Sequence, residues 1–571
     1  MFTATRQVYR HLLTKPPLGS LSVTIPPAGV TNVRAIIQRL FPALNTGGGP
    51  PQAAALAMRG AGFTVADLFR RSVRVYRDRV AVVSAEVELT YDQLDRRVNR
   101  LCGALSEAGL VRGDRVAVLS TTRPEYVDVY FAAAKLGATV VGLNIRMQVE
   151  ELVHCAGLGR PRVLVASPDL RPAAEAIFAA STSLEHLWWF PSQVGDSSSE
   201  YEQRLRAASA EGPEPAAAPE DIHCVLFTSG TTGRPKGAMI SERASVMRAF
   251  RCADWFELGP SDGMIGWIPM FHTGGDECVK ATFLTGGKFA TLEKSDPEAM
   301  FEAIERHRLT WTAMLPGVIT DFLDHPRRSS YDLTSLRFAL GYANMMPRVV
   351  QDFTSALQIG FWDTFGQTES SFVVALDLVR PGTRPSLRKR PAPLLDVRIV
   401  DDEMRELPIG EPGECVVRGP SVMSGYIEDP AATAEVFRGG WLHTGDVLVR
   451  HEDGTLSYVD RLKYLIKTGG ENVYPAEVEQ VLAAHAAIRE ACAISVPDER
   501  WGETIKAVVV LEPGESCTAH EIKVWCRERL ASFKCPRYVQ FLAYEHVPRS
   551  TTGKILRHEL ERLPVSEDQR V

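Results

Sequence analysis

A chain of 571 residues and 62.9 kDa exceeds what one ordinary hydrophobic core organises, so two to four domains are expected. Hydrophobic residues at 45% and charged residues at 23% give the balance of a water-soluble globular protein, and a formal net charge of −6 speaks against a general nucleic-acid binder. No apolar run reaches the ~18 residues needed to span a membrane. Ten cysteines without one CxxC spacing read as the reduced thiols of a cytoplasmic protein, not as a disulfide or zinc framework.

The first 60 residues carry Arg6, Arg10, Lys15, Arg34, Arg39 and Arg59, with no acidic residue before Asp67. Pro and Gly in "PPLGS", "IPPAG" and "GGGPP" deny this region a long amphipathic helix, so it is read as a loosely ordered or surface-draped extension rather than a cleaved targeting segment. From Phe63 the pattern becomes regular. "FTVADLFRRSVRVYRD" predicts a helix, "RVAVVSAEVELTY" a hairpin, and "YDQLDRRVNRLCGALSEAGL" a helix with Leu94, Val98, Leu101 and Leu105 near one face, ended by Gly109. "DRVAVLS" reads as a buried strand, "EYVDVYFAAAKLGATVVGL" as a helix closed by Gly137 and then a strand, and "PRVLVAS" as another strand. Alternation at this spacing implies βαβ units around parallel-rich sheets.

The Ser-, Ala-, Pro- and Glu-rich stretch 195–221 is expected to be a surface connection with little to offer a core. Strand–helix alternation resumes at "IHCVLFTS" and gives way, after "RKRPAPLLDVRIVDDEM", to short strands and turns. The last hundred or so residues read as a separate unit of helix, two strands and helix. The expected architecture is therefore a large α/β domain, 61–460, with parallel-rich sheets and a small β-rich subdomain. A small, mobile α+β domain, 461–571, follows it.

The most informative segment is "LFTSGTTGRPKGAMI", Leu226–Ile240. Its loop starts where a strand ends, the usual ligand side of an open α/β sheet. Gly230 and Gly233 permit tight turns that present backbone N–H groups; Ser229, Thr231 and Thr232 add hydroxyl donors, and Lys236 adds a mobile positive charge. Pro235 before Lys236 and Gly237 after it exclude a Walker A loop, so a different phosphate grip is implied.

This segment resembles the phosphate-binding signature of the adenylate-forming superfamily, which contains acyl-CoA synthetases, aryl-CoA ligases, luciferases and peptide-synthetase adenylation domains. Further matches follow in family order: "PMFHTGG" (269–275), "FGQTE" (365–369), "WLHTGD" (441–446), "DRLKYLIKTGGENVYPAEVE" (460–479) and "PRSTTGKILR" (548–557). The resemblance covers roughly Phe63 to Leu563 and is most like a bacterial acyl-CoA ligase.

The resemblance implies attack of a carboxylate on the α-phosphate of ATP. Such a step calls for electrostatic stabilisation more than for a nucleophilic side chain. Thr228, Ser229, Gly230, Thr231, Thr232 and Lys236 would hold the β- and γ-phosphates, Glu369 would bind Mg²⁺, and Thr368 would contact the α-phosphate. Gly341, Tyr342 and Ala343 would border the adenine, although many relatives carry a small residue in place of Tyr342. Phe365 would stack on the base, Asp446 would accept from both ribose hydroxyls, and Arg461 would add a charge nearby. Lys554 would neutralise charge between the acyl carboxylate and the α-phosphate, delivered by rotation of the small domain about Lys463. Lys467, Gly469 and Gly470 would line a pantetheine tunnel.

Trp267, Met270, His272, Tyr342 and Phe361 are the expected acyl-pocket residues, with His272 also gating thiol access. Amino-acid-activating relatives carry an aspartate where His272 stands, so the resemblance points to an acid without an α-amine, with Asp276 the one reservation. ATP, Mg²⁺ and coenzyme A are the implied cofactors. A carrier-protein phosphopantetheine is the alternative acceptor, and a non-catalytic nucleotide or acyl-CoA sensor the remote alternative. A homodimer is possible; no nucleic-acid partner is implied, and contact with a membrane surface stays open.

Overall fold

The computed structural model describes residues 63–228, 234–342, 347–468, 471–549, 555–566 and 569–571. The N-terminal extension therefore lies outside the described residues. The first described helix, Val65–Tyr76, starts in a capping box between Thr64 and Asp67, and the second, Tyr91–Glu107, in one between Thr90 and Gln93. Leu94, Val98, Leu101 and Leu105 are all buried, as their spacing predicted, and Gly109 follows with φ 81°. Helix Pro124–Leu136 is buried along its whole length and ends at Gly137, whose φ of 69° suits glycine.

Two sheets dominate the large region. Five strands of the seven-stranded sheet run parallel, from His186–Trp189 at one edge to Ile222–Thr228; Lys236–Ser241 and Gly425–Tyr426 then complete it in antiparallel fashion. The thirteen-stranded sheet is parallel from Val80–Val83 to Gly360–Gln367. It turns antiparallel at Ser371–Val379 and continues into the β-rich strands up to Asp396–Val400. Helices of the region meet through aromatic side chains: Phe131 stacks on Phe69 at 4.2 Å and tilts against Phe283 at 4.9 Å. Parallel-rich sheets with a β-rich appendage match the architecture read from the sequence.

The 195–221 stretch corrects the expectation of a coreless connection. Residues Glu200–Ala207 form a helix capped by Ser199, and Tyr201 and Leu205, one turn apart, are buried. Arg97 pins this helix by pairing with Glu202 at 2.6 Å and Asp128 at 2.8 Å. Averaging composition over 27 residues hid an eight-residue amphipathic turn.

The C-terminal five-stranded sheet packs helices Pro475–Ala483 and Ala519–Arg527 around its own core of Ile466, Val478, Leu482, Ile505, Val509 and Ile522. Asp460, buried at the junction, accepts from the backbone N–H of Arg461 and of Ala476, both at 2.7 Å, and so ties the end of strand Leu456–Arg461 to the first turn of the Pro475 helix. Among the described residues, no helix is long and apolar enough to cross a membrane.

Candidate active site

The segment singled out in the sequence is flanked by two paired strands. Strands Ile222–Thr228 and Lys236–Ser241 pair antiparallel, with Thr228 opposite Lys236. Thr228 is half-buried at the strand end, as expected, while Ser229, Gly230, Thr231 and Thr232 lie outside the described residues. Gly237 is required sterically: a Cβ there would meet Ile427 at 2.7 Å and Val225 at 2.8 Å. That close packing brings strand Gly425–Tyr426 alongside Lys236–Ser241. The Lys236 ammonium consequently lies 5.3 Å from the centre of the Tyr426 ring, and the Tyr426 hydroxyl donates to Glu369 Oε1 at 2.8 Å.

Glu369 sits at the turn between strands Gly360–Gln367 and Ser371–Val379 and is only 9% exposed. Arg461 is close enough to stabilise the Glu369 charge and pairs directly with Asp446, Nε to Oδ1 at 2.7 Å. Asp446, 2% exposed, stands opposite Arg461 in the ladder between strands Leu442–Arg450 and Leu456–Arg461. Its carboxylate is the main cause holding the Arg461 guanidinium above its ordinary pKa. Phe365 is half-buried with its ring 6.1 Å from that of Tyr458, a residue of the Arg461 strand. Lys236, Phe365, Asp446 and Arg461, from four separate strands, and Glu369, from the turn after the Phe365 strand, thus come to one place. Burial, and then the Glu369 carboxylate, raise the Tyr426 hydroxyl pKa, so Tyr426 acts here as a donor.

Of the residues expected to border the acyl group, His272 caps helix Thr273–Thr285, its Nδ1 accepting from the Gly274 N–H at 3.2 Å. Trp267 and Met270 are buried, and the Trp267 indole donates to the Ala313 carbonyl at 2.8 Å. Tyr342 is half-buried, and desolvation, reinforced by the charge of Glu277, pushes its hydroxyl up to about 12. Phe361 is fully buried against Phe353 and Gly341, so it is core, not a wall of an open pocket. Gly341 ends strand Phe338–Gly341 where a Cβ would lie 2.2 Å from the Met314 carbonyl oxygen. Asp276 is fully buried, bound by Lys280 Nζ at 2.8 Å and by the Cys224 thiol at 3.4 Å. Burial raises its carboxyl to about 6 against the opposing pull of Lys280.

In the C-terminal region Lys463 is exposed within a short 3₁₀ turn, Leu462–Tyr464, its ammonium 4.9 Å from the Tyr464 ring. Lys467 is exposed, and its backbone N–H donates to Glu503 at 2.9 Å. Ala343, Gly469, Gly470 and Lys554 lie outside the described residues.

Residues 69–427 match the AMP-binding enzyme family, and residues 477–554 match the family's C-terminal domain. The chain belongs to the AMP-binding enzyme family. It is 36% identical to a feruloyl-CoA synthase of Amycolatopsis sp over 495 residues, 86% of this chain and 97% of that one. It is 33% identical to an indoleacetate–CoA ligase of Aromatoleum aromaticum over 490 residues, 85% of this chain and 95% of that one. The crystal structure of the anthranilate CoA ligase AuaEII in complex with anthranoyl-AMP superposes with a TM-score of 0.79 at 25% identity, covering 87% of this chain and 96% of that one. As a family member the chain is an ATP-dependent, AMP-forming acid–thiol ligase: a carboxylic acid is adenylated and the acyl group then passes to coenzyme A.

Within this AMP-binding enzyme the donor set also bears on magnesium. No group of three or more acidic, His or Cys side chains capable of holding a metal occurs among the described residues. A lone buried carboxylate, Glu369, suits an ion that arrives on nucleotide phosphates and keeps most of its ligands there. Two buried pairs went unread in the sequence. Arg248 and Glu277 lie behind the Thr368–Glu369 turn, 3.2 Å apart, and Asp363 pairs with Lys389 at 2.7 Å beside the Phe365 strand. Arg248 lies on a partly buried helix and Glu277 on one buried from Thr273 to Phe283, and a single charged residue inside either carries no local signature that names its partner.

Proposed function

We propose that this chain activates a carboxylic acid lacking an α-amine, most suitably a ring-bearing one, and delivers it to coenzyme A through two hinged lobes, 61–460 and 461–571. The observation that carries this reading is the junction of Lys236, Tyr426 and Glu369 beside the Asp446–Arg461 pair, which supplies two cations, a carboxylate and a ribose-type acceptor in one place. The Thr228–Lys236 hairpin would grip the β- and γ-phosphates, with Thr368 near the α-phosphate and Lys554 supplied by the small lobe. Asp446 would hold the ribose, and Phe365 with the Gly341–Ala343 segment the adenine. Glu369 would take the Mg²⁺ carried in on the nucleotide; when bound, that ion neutralises phosphate charge as pyrophosphate leaves. No side chain need form a covalent intermediate, because the carboxylate oxygen itself attacks phosphorus while pre-placed charges stabilise the developing anion.

His272, standing where amino-acid-activating relatives carry an aspartate, supports an acid without an α-amine, and the one reservation is Asp276. Its carboxylate is spent on Lys280 inside the core, so it offers no partner to a substrate ammonium, whose burial without one would be costly. The names of the relatives, feruloyl-CoA synthase and indoleacetate–CoA ligase, add the preference for a ring. His272, Trp267, Met270 and Tyr342 would then border the acyl chain, and Lys463 with Lys467, Gly469 and Gly470 would serve the rotation and the thiol tunnel. The test is ATP–pyrophosphate exchange across aromatic, alicyclic, aliphatic and amino acids, followed by comparison of coenzyme A with a holo carrier protein as acceptor. Acid-dependent exchange with thioester on coenzyme A is expected. Thioester only on the carrier protein would overturn the acceptor, and exchange confined to amino acids would overturn the substrate class.

A further inference from the structure

Ser371 follows the Thr368–Ser370 turn directly and has φ 114°, a backbone angle that residues with a side chain rarely adopt. Its carbonyl oxygen also presses on Gly366, where a Cβ would lie only 2.1 Å away. Such a conformation persists only where the surroundings over-determine it. Here Ser371 stands opposite Gln367 in the ladder and its Oγ accepts from the Val373 N–H at 3.2 Å, and one buried carboxylate grips it from outside its own hairpin. Glu277 accepts from Ser371 Oγ at 2.6 Å and from the Phe372 N–H at 3.2 Å, so it grips the strained residue by side chain and by the next peptide. Glu277 is itself oriented by the Thr273 hydroxyl at 2.8 Å and by Arg248 Nη1 at 3.2 Å.

Arg248 completes the brace from the other side of the turn. Its Nη2 donates to the carbonyl of Thr368 at 3.1 Å and to that of Glu369 at 3.4 Å, and its Nε to the carbonyl of Ser421 at 2.8 Å. Glu277, Arg248 and Ser371 have no exposed surface, so the arrangement is dry and its charges are poorly screened. Glu277 lies on helix Thr273–Thr285, whose first turn is capped by His272. One buried ion pair therefore fastens that helix to both flanks of Glu369.

We propose that Glu277 and Arg248 are positioning residues for adenylation: by holding Ser371 at its strained angle they fix where Thr368 and Glu369 face Mg·ATP. The inference rests on the role given to Glu369 above, and the experiment separates the two. Binding of Mg·AMPCPP, a non-reacting ATP analogue, is measured by titration calorimetry on the full chain without acid, with adenosine as a probe of the nucleoside end. E277Q and S371A are each expected to weaken Mg·AMPCPP at least fivefold while adenosine binding stays within twofold. S371A leaves the buried ion pair intact and so covers the case in which E277Q fails to fold. The decisive variant is E277Q/S371G, because glycine adopts the same φ unaided; it is expected to bind Mg·AMPCPP at least threefold more tightly than E277Q. Mg·AMPCPP affinity within twofold of wild type in S371A, equal loss of adenosine binding, or no recovery in E277Q/S371G would each overturn the proposal while E369A still weakens binding. Unchanged Mg·AMPCPP affinity in E369A would instead remove the role of Glu369, and the proposal with it.

Discussion

Asp446 and Arg461 face each other across a β-ladder with 2.7 Å between them, so neither charge enters the site alone. Replacing Asp446 by Asn removes a charged acceptor and releases Arg461. The KM for ATP in the exchange reaction is expected to rise about tenfold, equivalent to ~1.4 kcal/mol, with a smaller fall in melting temperature because the Arg461 side chain is 37% exposed. An unchanged KM would remove the ribose role. His223 makes a separate prediction about pH. Fully buried, it presents Nδ1 to Glu242 at 3.2 Å; desolvation first, and then Lys280, lower its pKa. The unfolded chain takes up a proton near pH 6.5 that the folded one resists, so stability from this group is present above that pH and lost as the pH falls below it. The stability of wild type relative to H223Q should therefore decline between pH 7 and 5.5, by at most ~1.4 kcal/mol per pH unit. Parallel melting curves across that range would show the imidazole to be silent.

Helix Thr273–Thr285 illustrates how an element positions chemistry it does not itself perform. It starts at His272, carries Asp276, Glu277 and Lys280 into the interior, and turns over at Gly286 with φ 77°. Its first turn is packed so tightly that a Cβ on Gly275 would lie 2.3 Å from the Pro269 carbonyl oxygen and 2.6 Å from that of Ile268. Both neighbours are backbone and cannot step aside, so G275A is expected to destabilise by about 2–3 kcal/mol, read as a lowered denaturation midpoint. Gly157, inside helix Val149–Gly159, has nothing within 4 Å of an added Cβ. G157A should raise the midpoint, by up to ~1 kcal/mol in stability, since Ala favours a helix over Gly. A destabilised G157A together with a neutral G275A would contradict the packing of both helices.

For the molecule as a whole, the C-terminal sheet has its own core, joined to the large region through the Asp460 contacts and the 3₁₀ turn at Lys463. Arg557, three residues after Lys554, is anchored within this unit by Glu479 at 2.8 Å and lies 5.0 Å from the Tyr464 ring beside the proposed hinge. A lysine presented by the small lobe would act in the adenylation step alone. K554A is accordingly expected to cut ATP–pyrophosphate exchange at least a hundredfold, leave Mg·ATP affinity within threefold, and still form thioester from a supplied acyl-adenylate. Wild-type exchange in K554A would refute the lobe-delivery mechanism.

Local order along the chain determined a great deal by itself. The helices with their closing glycines, the alternation of strand and helix, the strand before "TSGTTGRPKG" and the family of the chain were all legible, because period, caps and contiguous motifs are properties of neighbours in sequence. Only the tertiary structure decided that Tyr426 links Lys236 to Glu369, that Asp276 is consumed by Lys280, and that Phe361 is core. It also decided that Glu277, 94 residues before Ser371, bonds that residue's hydroxyl. The physical reason is that burial and charge pairing depend on which surfaces meet once the sheets and helices pack, and partners so far apart leave no periodicity for a sequence to display.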